Sequence, residues 1–510
     1  MPTILISVLI SFVIGIAFTV VVLRKGDDNH KRLPLPPGPS PLPIVGNLFD
    51  MPRESSWTAF AAMSRKYGDI MHLKAINQHI IVVSSSEVAA DLFEKRAAIY
   101  SDRYQSVMMT DLMEIGWSFT IMDYNEEWRK KRKVFHQYLG ANAIRAYDNQ
   151  QFDHVREFLR QLHRQPEKSS EHAHFLFSAI LMDTIYGIPI ADITNIHVAE
   201  AEKSVEGFNE AIEPGRFWVD FLPLLKYVPD WFPGANFQRL AADWRLHMFK
   251  ARDGPFYETK SAYTAGSARP SVVATILEDI SDDLQPEQER IINDSVGTAF
   301  AAGVNTSAPT LQIFLFAMLT NLEVQRKAQA ELDAVVGRDR LPTLNDKDNL
   351  PIIEAILRET LRWMPVVPLA IPHYTSASDE YRGYYIPKGS IVIGNSWHIL
   401  HNPDDYPEPE LFKPERYLAA DGSINPDVMD PSASCFGYGR RICPGRFLSL
   451  NALFLAMACT LHVFNIEPEE GPDGTPLKTE IRMTGNFIPH PKIPPCSVKE
   501  RPEAEVLFAQ

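Results

Sequence analysis

The sequence predicts a mainly α protein: one large helical domain with a small β region, preceded by a single apolar helix of membrane-spanning length. Three observations carry that reading. Apolar residues recur at three and four spacing over most of the chain, β-branched runs suited to strands are confined to Ile70–Val83 and Asp379–Ile393, and no repeat or linker follows residue 43. At 510 residues with 45% hydrophobic and 22% charged side chains, the composition excludes disorder, a collagen-like repeat and a many-span transporter. The 50 Lys and Arg against 64 Asp and Glu leave a net charge of -14, ill suited to a phosphate backbone, so no nucleic-acid partner is expected. The four cysteines, at 435, 443, 459 and 496, all fall near the C-terminus and could not staple so large a fold.

Taken in order, residues 1–23 form the expected anchor. Thr3–Leu23 carries no charge, and about 20 helical residues span the hydrocarbon core of a bilayer. Arg24, Lys25, Lys31 and Arg32 follow it, which places the rest of the chain on the cytosolic side and the thiols in a reducing compartment. Residues 24–43 read as a basic and Pro-rich hinge, because the prolines of Leu33–Pro43 fix φ and favour an extended path. Residues 44–510 form the soluble domain. Within it, Trp57–Gly68 and Glu87–Tyr100 have helical spacing, Ile70–Val83 reads as short strands, and helical pattern continues to about residue 365. Asp379–Ile393 reads as a strand pair around Pro387-Lys388-Gly389, and helix resumes after Pro444.

The densest chemical signal is the loop from Phe436 to Gly445. Glycines at 437, 439 and 445 let the backbone pass close to a flat, bulky partner, and Cys443 stands where the loop runs into the apolar stretch Phe447–Leu461. Amides near a helix start stabilise a thiolate, and Arg441 adds a cation suited to a carboxylate. An isolated cysteine is usually buried filler, but here the thiol, the glycines and the arginine coincide. Without a Cys-x-x-Cys spacing, zinc and iron–sulfur sites are poorly supported.

This loop resembles the signature Phe-x-x-Gly-x-Arg-x-Cys-x-Gly of the cytochrome P-450 superfamily, matched at Phe436, Gly439, Arg441, Cys443 and Gly445. The resemblance implies the helical fold of that family and haem b as cofactor. Cys443 would be the axial thiolate ligand of the haem iron, favouring O–O bond cleavage, with Phe436, Gly437 and Gly445 beside the ring. Three other segments agree in order and spacing. Glu359 and Arg362 lie three apart on one helical face, and with Arg416 of Pro414-Glu415-Arg416 they would form a buried ion triad of structural role. The helix Ile291–Leu319 contains Ala302-Gly303-Val304-Asn305-Thr306-Ser307, similar to the family's oxygen-binding motif. There Pro309 should open the helix near residue 305, and Thr306 would position water for proton delivery. Trp128 and Arg132, in a basic run ending at Lys133, resemble the Trp-x-x-x-Arg helix that contacts haem propionates. Arg441 and His373 match positions that also reach propionates.

One departure stands out. The family's usual acid is Asn305 here, and an amide can hold a water but cannot reversibly supply a proton near neutral pH.

The resemblance implies a membrane-anchored monooxygenase of the endoplasmic reticulum, its catalytic domain cytosolic. No flavin or nicotinamide domain is seen, so electrons would come from NADPH through NADPH-cytochrome P-450 reductase, with cytochrome b5 a second donor, docking near the basic run. Val219–Pro223 and Lys226–Ala235 look like fungal members, many of which tailor secondary metabolites. A lipophilic terpenoid or aromatic substrate is expected, with Tyr100–Trp117 and Ile212–Phe221 near the family's pocket and access loops. Two other function classes fit the same residues. One is a haem-thiolate isomerase or dehydratase that needs no external electrons, for which Asn305 leaves room; the other is a non-catalytic haem-binding protein.

Overall fold

The computed structural model describes residues 33–502 except 214, 281–283, 470–474, 476–479, 485–486 and 493–495. The expected anchor Thr3–Leu23 and the basic residues after it lie outside the described residues. Nine helices organise the site: α1 (Ser56–Tyr67), α2 (Glu126–Leu139), α3 (Ser169–Leu181), α4 (Ile196–Ala211), α5 (Asn236–Thr264), α6 (Pro286–Val304), α7 (Ser307–Thr320), α8 (Pro351–Trp363) and α9 (Arg446–Val463).

Local chemistry accounts for where these helices start and stop. The Asn125 side chain accepts from the Trp128 amide at 2.8 Å, and Glu126 and Glu127 sit in the first turn of α2, so the helix enters with its exposed amides satisfied. Pro286 opens α6 behind a reciprocal cap between Gln285 and Gln288. The chain would continue as one helix into α7, but Pro309 has no N–H to offer residue 305 and its ring crowds that carbonyl. The helix accordingly breaks, with φ/ψ of -112/11 at Asn305 and -109/-35 at Thr306. Beyond the break, every residue from Ser307 to Leu319 is buried, and α9 packs against α7 and α8 as another largely buried rod of the core. Two described helical stretches, Pro286–Thr320 and Arg446–Val463, are long and apolar enough to cross a membrane, yet both lie mostly buried inside the fold.

The β region begins with β1 (Ile70–Ala75) and β2 (Gln78–Val83), antiparallel with Ile70 opposite Val83 and Ala75 opposite Gln78. Five strands make the main sheet in the order β1-β2-β7-β4-β3, with β3 at Asp102–Arg103, β4 at His373–Tyr374 and β7 at Ile391–Gly394. β2 and β7 run parallel, so the sheet ties the N-terminal part of the domain to the segment preceding the Cys loop. The Asp379–Ile393 reading needs correction. The hairpin is β5 (Asp379–Tyr381) with β6 (Tyr384–Ile386), and it turns at Arg382-Gly383, whose φ values are 49° and 80°. Two consecutive positive φ values match the twist of a tight hairpin. Pro387-Lys388-Gly389 instead carries the chain into β7, whose backbone partners are β2 and β4.

The described part of the Pro-rich segment lies against these strands. Pro34 O accepts from the Tyr385 amide and Pro37 O from the His72 amide, both at 2.8 Å. A Cβ on Gly38 would stand 1.9 Å from His72 O, so only glycine lets the two backbones approach this closely.

Candidate active site

Cys443 is held by its own loop. Its amide donates to Phe436 O at 2.8 Å, closing the loop on itself, and the loop turns through positive φ at Gly437 and Gly439. At Gly439 a Cβ would stand 2.1 Å from Phe93 O, so a side chain there would push the loop off its support. Burial pushes the Cys443 thiol above its ordinary range, while the Gly445 amide and the Arg132 and Arg446 cations pull it back. A thiol in this position becomes a thiolate when it meets a Lewis-acidic ion.

The thiol faces a predominantly apolar cavity in which the space open to the centre of a water-sized sphere is about 240 Å³. The Cys loop, with Phe436, Gly437, Cys443 and Gly445, forms one wall, and Ala299, Ala302, Gly303 and Thr306 at the end of α6 and the break form another. Thr306 Oγ1 donates to Ala302 O at 3.2 Å, so its hydroxyl fills the carbonyl that the broken ladder releases.

Arg103, Arg132, Arg441 and His373 line the same cavity. Arg441 donates to Phe119 O, Thr120 O and Met122 O at 3.2, 3.1 and 2.8 Å, while its Nη1 is buried without a partner. Arg132 donates to Ile442 O. Arg103 donates to Thr120 O, Ile371 O and Pro372 O. Among the described residues no carboxylate pairs with any of the three. Burial, reinforced by its neighbour Arg132, pushes Arg441 down to about 9, and burial pushes Arg132 down to about 10. Arg103 is held well below its ordinary value by burial and by the other two cations. His373, 2% exposed, donates from Nδ1 to Tyr100 O at 2.6 Å, and burial keeps its ring neutral. The indole N–H of Trp128 is committed to Phe119 O at 3.0 Å, so the ring contributes a face, with the Arg441 and Arg132 guanidiniums 5.0 and 5.7 Å from its centroid.

This donor set suits a flat apolar group carrying two carboxylates and a thiophilic metal. Two buried guanidiniums and one half-buried, none paired with a carboxylate among the described residues, one buried N–H without an acceptor, and a thiol facing the same apolar space are what haem b would complete.

Of the residues expected at the site, Asn305 stands apart. It borders a second, polar cleft, and its Oδ1 bonds His174 Nε2 at 3.0 Å. The basic run is also redistributed. Lys131 is fully buried on Asp294 at 2.9 Å, while Arg129, Lys130 and Lys133 are exposed, Lys130 pairing with Glu287. Tyr100–Trp117 and Ile212–Phe221 largely pack on one another and on α5 through Met108, Met109, Met113, Ile212, Val219 and Trp244. Of those two segments only Arg103 lines the cavity. Arg103 itself was not evident from sequence, since it sits in no motif and reaches the cavity only because β3 pairs with β4 beside His373. The ion triad is present: Glu359 receives Arg362 at 2.7 and 2.9 Å and Arg416 at 3.2 Å, with Glu359 and Arg362 fully buried.

Known proteins match the chain over nearly all of its length. The cytochrome P-450 family model matches residues 36–492. Cytochrome P-450 monooxygenase COX2 of Coprinopsis cinerea is 41% identical, over 96% of this chain and 93% of its own length. Cytochrome P-450 monooxygenase 98 of Postia placenta is 40% identical over 90% and 88%. Tryptamine 4-monooxygenase of Psilocybe cyanescens is 38% identical over 94% and 95%. The chain therefore belongs to the cytochrome P-450 family. It is a monooxygenase of that family, and membership implies haem iron.

Proposed function

We propose that the protein binds haem b through Cys443 and oxidises a lipophilic secondary metabolite, a terpenoid or an aromatic compound, with O2 and electrons delivered from NADPH by a separate membrane reductase. The observation that supports this reading is one cavity that joins the Cys443 thiol to three guanidiniums, two buried and one half-buried, none of them paired with a carboxylate among the described residues. Arg103, Arg132, Arg441 and His373 would receive the propionates, Trp128 would brace two of the guanidiniums, and Phe436, Gly437 and Gly445 would flank the ring. When bound, haem supplies the electron and oxygen chemistry. The chain's own part is to seat the ring, keep its surroundings dry and present the Thr306 hydroxyl, with Asn305 beside it, for proton handling at the helix break.

The predominantly apolar lining supports a lipophilic guest. One relative's name specifies tryptamine, an aromatic amine, which keeps the aromatic class in view. The monooxygenase names of the relatives favour oxygen insertion over an electron-free isomerase or dehydratase and over a non-catalytic haem protein.

Attachment to the endoplasmic reticulum membrane with a cytosolic catalytic domain is part of the proposal. Leu42, Ile44 and Phe49 are exposed, as are Trp218, Leu224, Tyr227 and Trp231, between 52% and 82% each. Leu48, Met51 and Phe221 pack on one common cluster, so these two exposed apolar segments are neighbours, and the first lies just after the expected anchor. Arg129 and Lys133, with Arg440 and Arg129 both over the Tyr124 ring, would offer an electron donor such as the reductase or cytochrome b5 a cationic surface.

The test is spectroscopic. The reduced protein with carbon monoxide should show the long-wavelength Soret band of a thiolate ligand, and Cys443→Ser should abolish it together with turnover. Parent protein that folds and binds haem without that band would sink the assignment. Incubation with reductase, NADPH and a panel of terpenes and indoles, tryptamine included, then identifies the substrate class.

A further inference from the structure

The break between α6 and α7 is one residue thick in its separation of two environments. Thr306 borders the apolar cavity, whereas Asn305 borders a polar cleft of about 380 Å³ whose lining includes Glu202, Glu206, Asn209 and Glu210 of α4 and His490 of β8 (His490–Lys492). Helix α3 is brought to this break by a close approach. A Cβ on Gly303 would stand 2.8 Å from the tip of the Leu181 side chain, which packs over this glycine. Two turns earlier on the same face of α3, His174 reaches Asn305, and one turn further Ser170 receives Gln312 of α7 at 2.6 Å.

The His174 ring is flanked by acceptors on both sides. Its Nε2 donates to Asn305 Oδ1 at 3.0 Å, and its Nδ1 lies 3.4 Å from Glu202 Oε1. An imidazole between an amide oxygen and a carboxylate has both nitrogens placed to carry protons. It is also connected to water, since the His174 and Glu202 side chains are 20% and 40% exposed. We propose that His174 is the proton-holding residue of the helix break and, with Glu202, stands in for the carboxylic acid absent at position 305. This rests on the haem monooxygenase reading and deepens it. The imidazolium gives one proton to water that reaches the break and, as the neutral ring, takes one back from water in the polar cleft. The net movement is one proton from solvent to the break, with no change of oxidation state and no other bond broken. The charged and titratable groups lining the cleft that the ring faces are Glu202, Glu206, Glu210 and Glu213, with His490 across it.

The haem-loaded full-length chain, with histidine labelled by carbon-13 at Cε1, tests this by NMR titration. The His174 signal, identified by its loss in His174→Gln, should respond differently to pH in Glu202→Gln, where the neighbouring carboxylate is gone. With reductase and NADPH, His174→Gln should raise the hydrogen peroxide released per NADPH oxidised by roughly threefold, a small part of what general acids contribute. Adding Asn305→Asp to that variant should reverse the rise. A purely structural histidine would show neither the altered pH response nor the rescue. An unchanged pH response in Glu202→Gln, or an unchanged peroxide yield in His174→Gln, overturns the proposal. The carbon monoxide band, read on every variant, separates this from failure of the haem assignment, which would remove the band from the parent protein too. Should His174→Gln alone lose the band, Glu202→Gln decides by its own pH response and peroxide yield.

Discussion

Two groups of arginines, buried or half-buried, have opposite surroundings in this molecule. Arg362 and Arg416 close on Glu359, with Arg362 fully buried in a bidentate pair. Arg103, Arg132 and Arg441 sit in the active-site cavity bonded only to backbone carbonyls among the described residues. A buried cation is costly unless an anion offsets it, so a paired group reads as a finished structural lock, and an unpaired one reads as a site awaiting its anion.

The largest expected effect breaks the paired group. Glu359→Gln leaves two buried guanidiniums without an anion and should destabilise the protein by about 3–5 kcal/mol. A lowered denaturant midpoint checks it; an unchanged midpoint would show that the triad is not a lock.

The same change of charge at the unpaired group should act differently. Arg441→Met removes a cation that has no anion in the unloaded protein, so the stability of the unloaded chain should hold or rise. Haem affinity should fall by about 10- to 100-fold, the loss of one charge-assisted hydrogen-bonding partner. Haem transfer to apomyoglobin measures that affinity, and equal retention by parent and variant would remove Arg441 from the propionate site.

The smallest expected effect is a pH slope. Arg441 is held at about 9 in the folded chain and far higher when unfolded. Below about pH 9 both states carry the proton and the burial cost is present in full; as pH rises through that value the folded state releases it and stability recovers. The stability difference between parent and Arg441→Met in unloaded protein should therefore shrink as pH rises from about 8 to 10. With haem bound, carboxylates would hold the proton on and the slope should vanish. A slope that persists in the loaded protein would mean that no anion reaches Arg441.

The comparison also shows which features were legible in the chain. Glu359 and Arg362 stand three residues apart on one helix, so their pairing is local and readable. The helix break at Asn305 follows from Pro309 four residues on, and the Cys443 loop carries its glycines within ten residues of the thiol. Arg103 and His174 carry no such sign. Arg103 meets the cavity through the pairing of β3 with β4, some 270 residues away in sequence, and His174 meets Asn305 across 131 residues. The turn misplaced at Pro387-Lys388-Gly389 is of the same kind, because β7 was claimed by β2 and β4 rather than by its neighbour β6.

By itself the sequence determined the helical class, the thiol loop, the interrupted helix and the Glu359 pair, since each depends on residues within a few turns of one another, where spacing and φ preference act directly. Only the tertiary structure decided which buried charges have partners, which side of the break Asn305 faces, and that a histidine on another helix bonds its amide. Those outcomes depend on which distant segments the fold brings together, as the pairing of β3 with β4 sets Arg103 beside His373, and no local rule encodes that meeting.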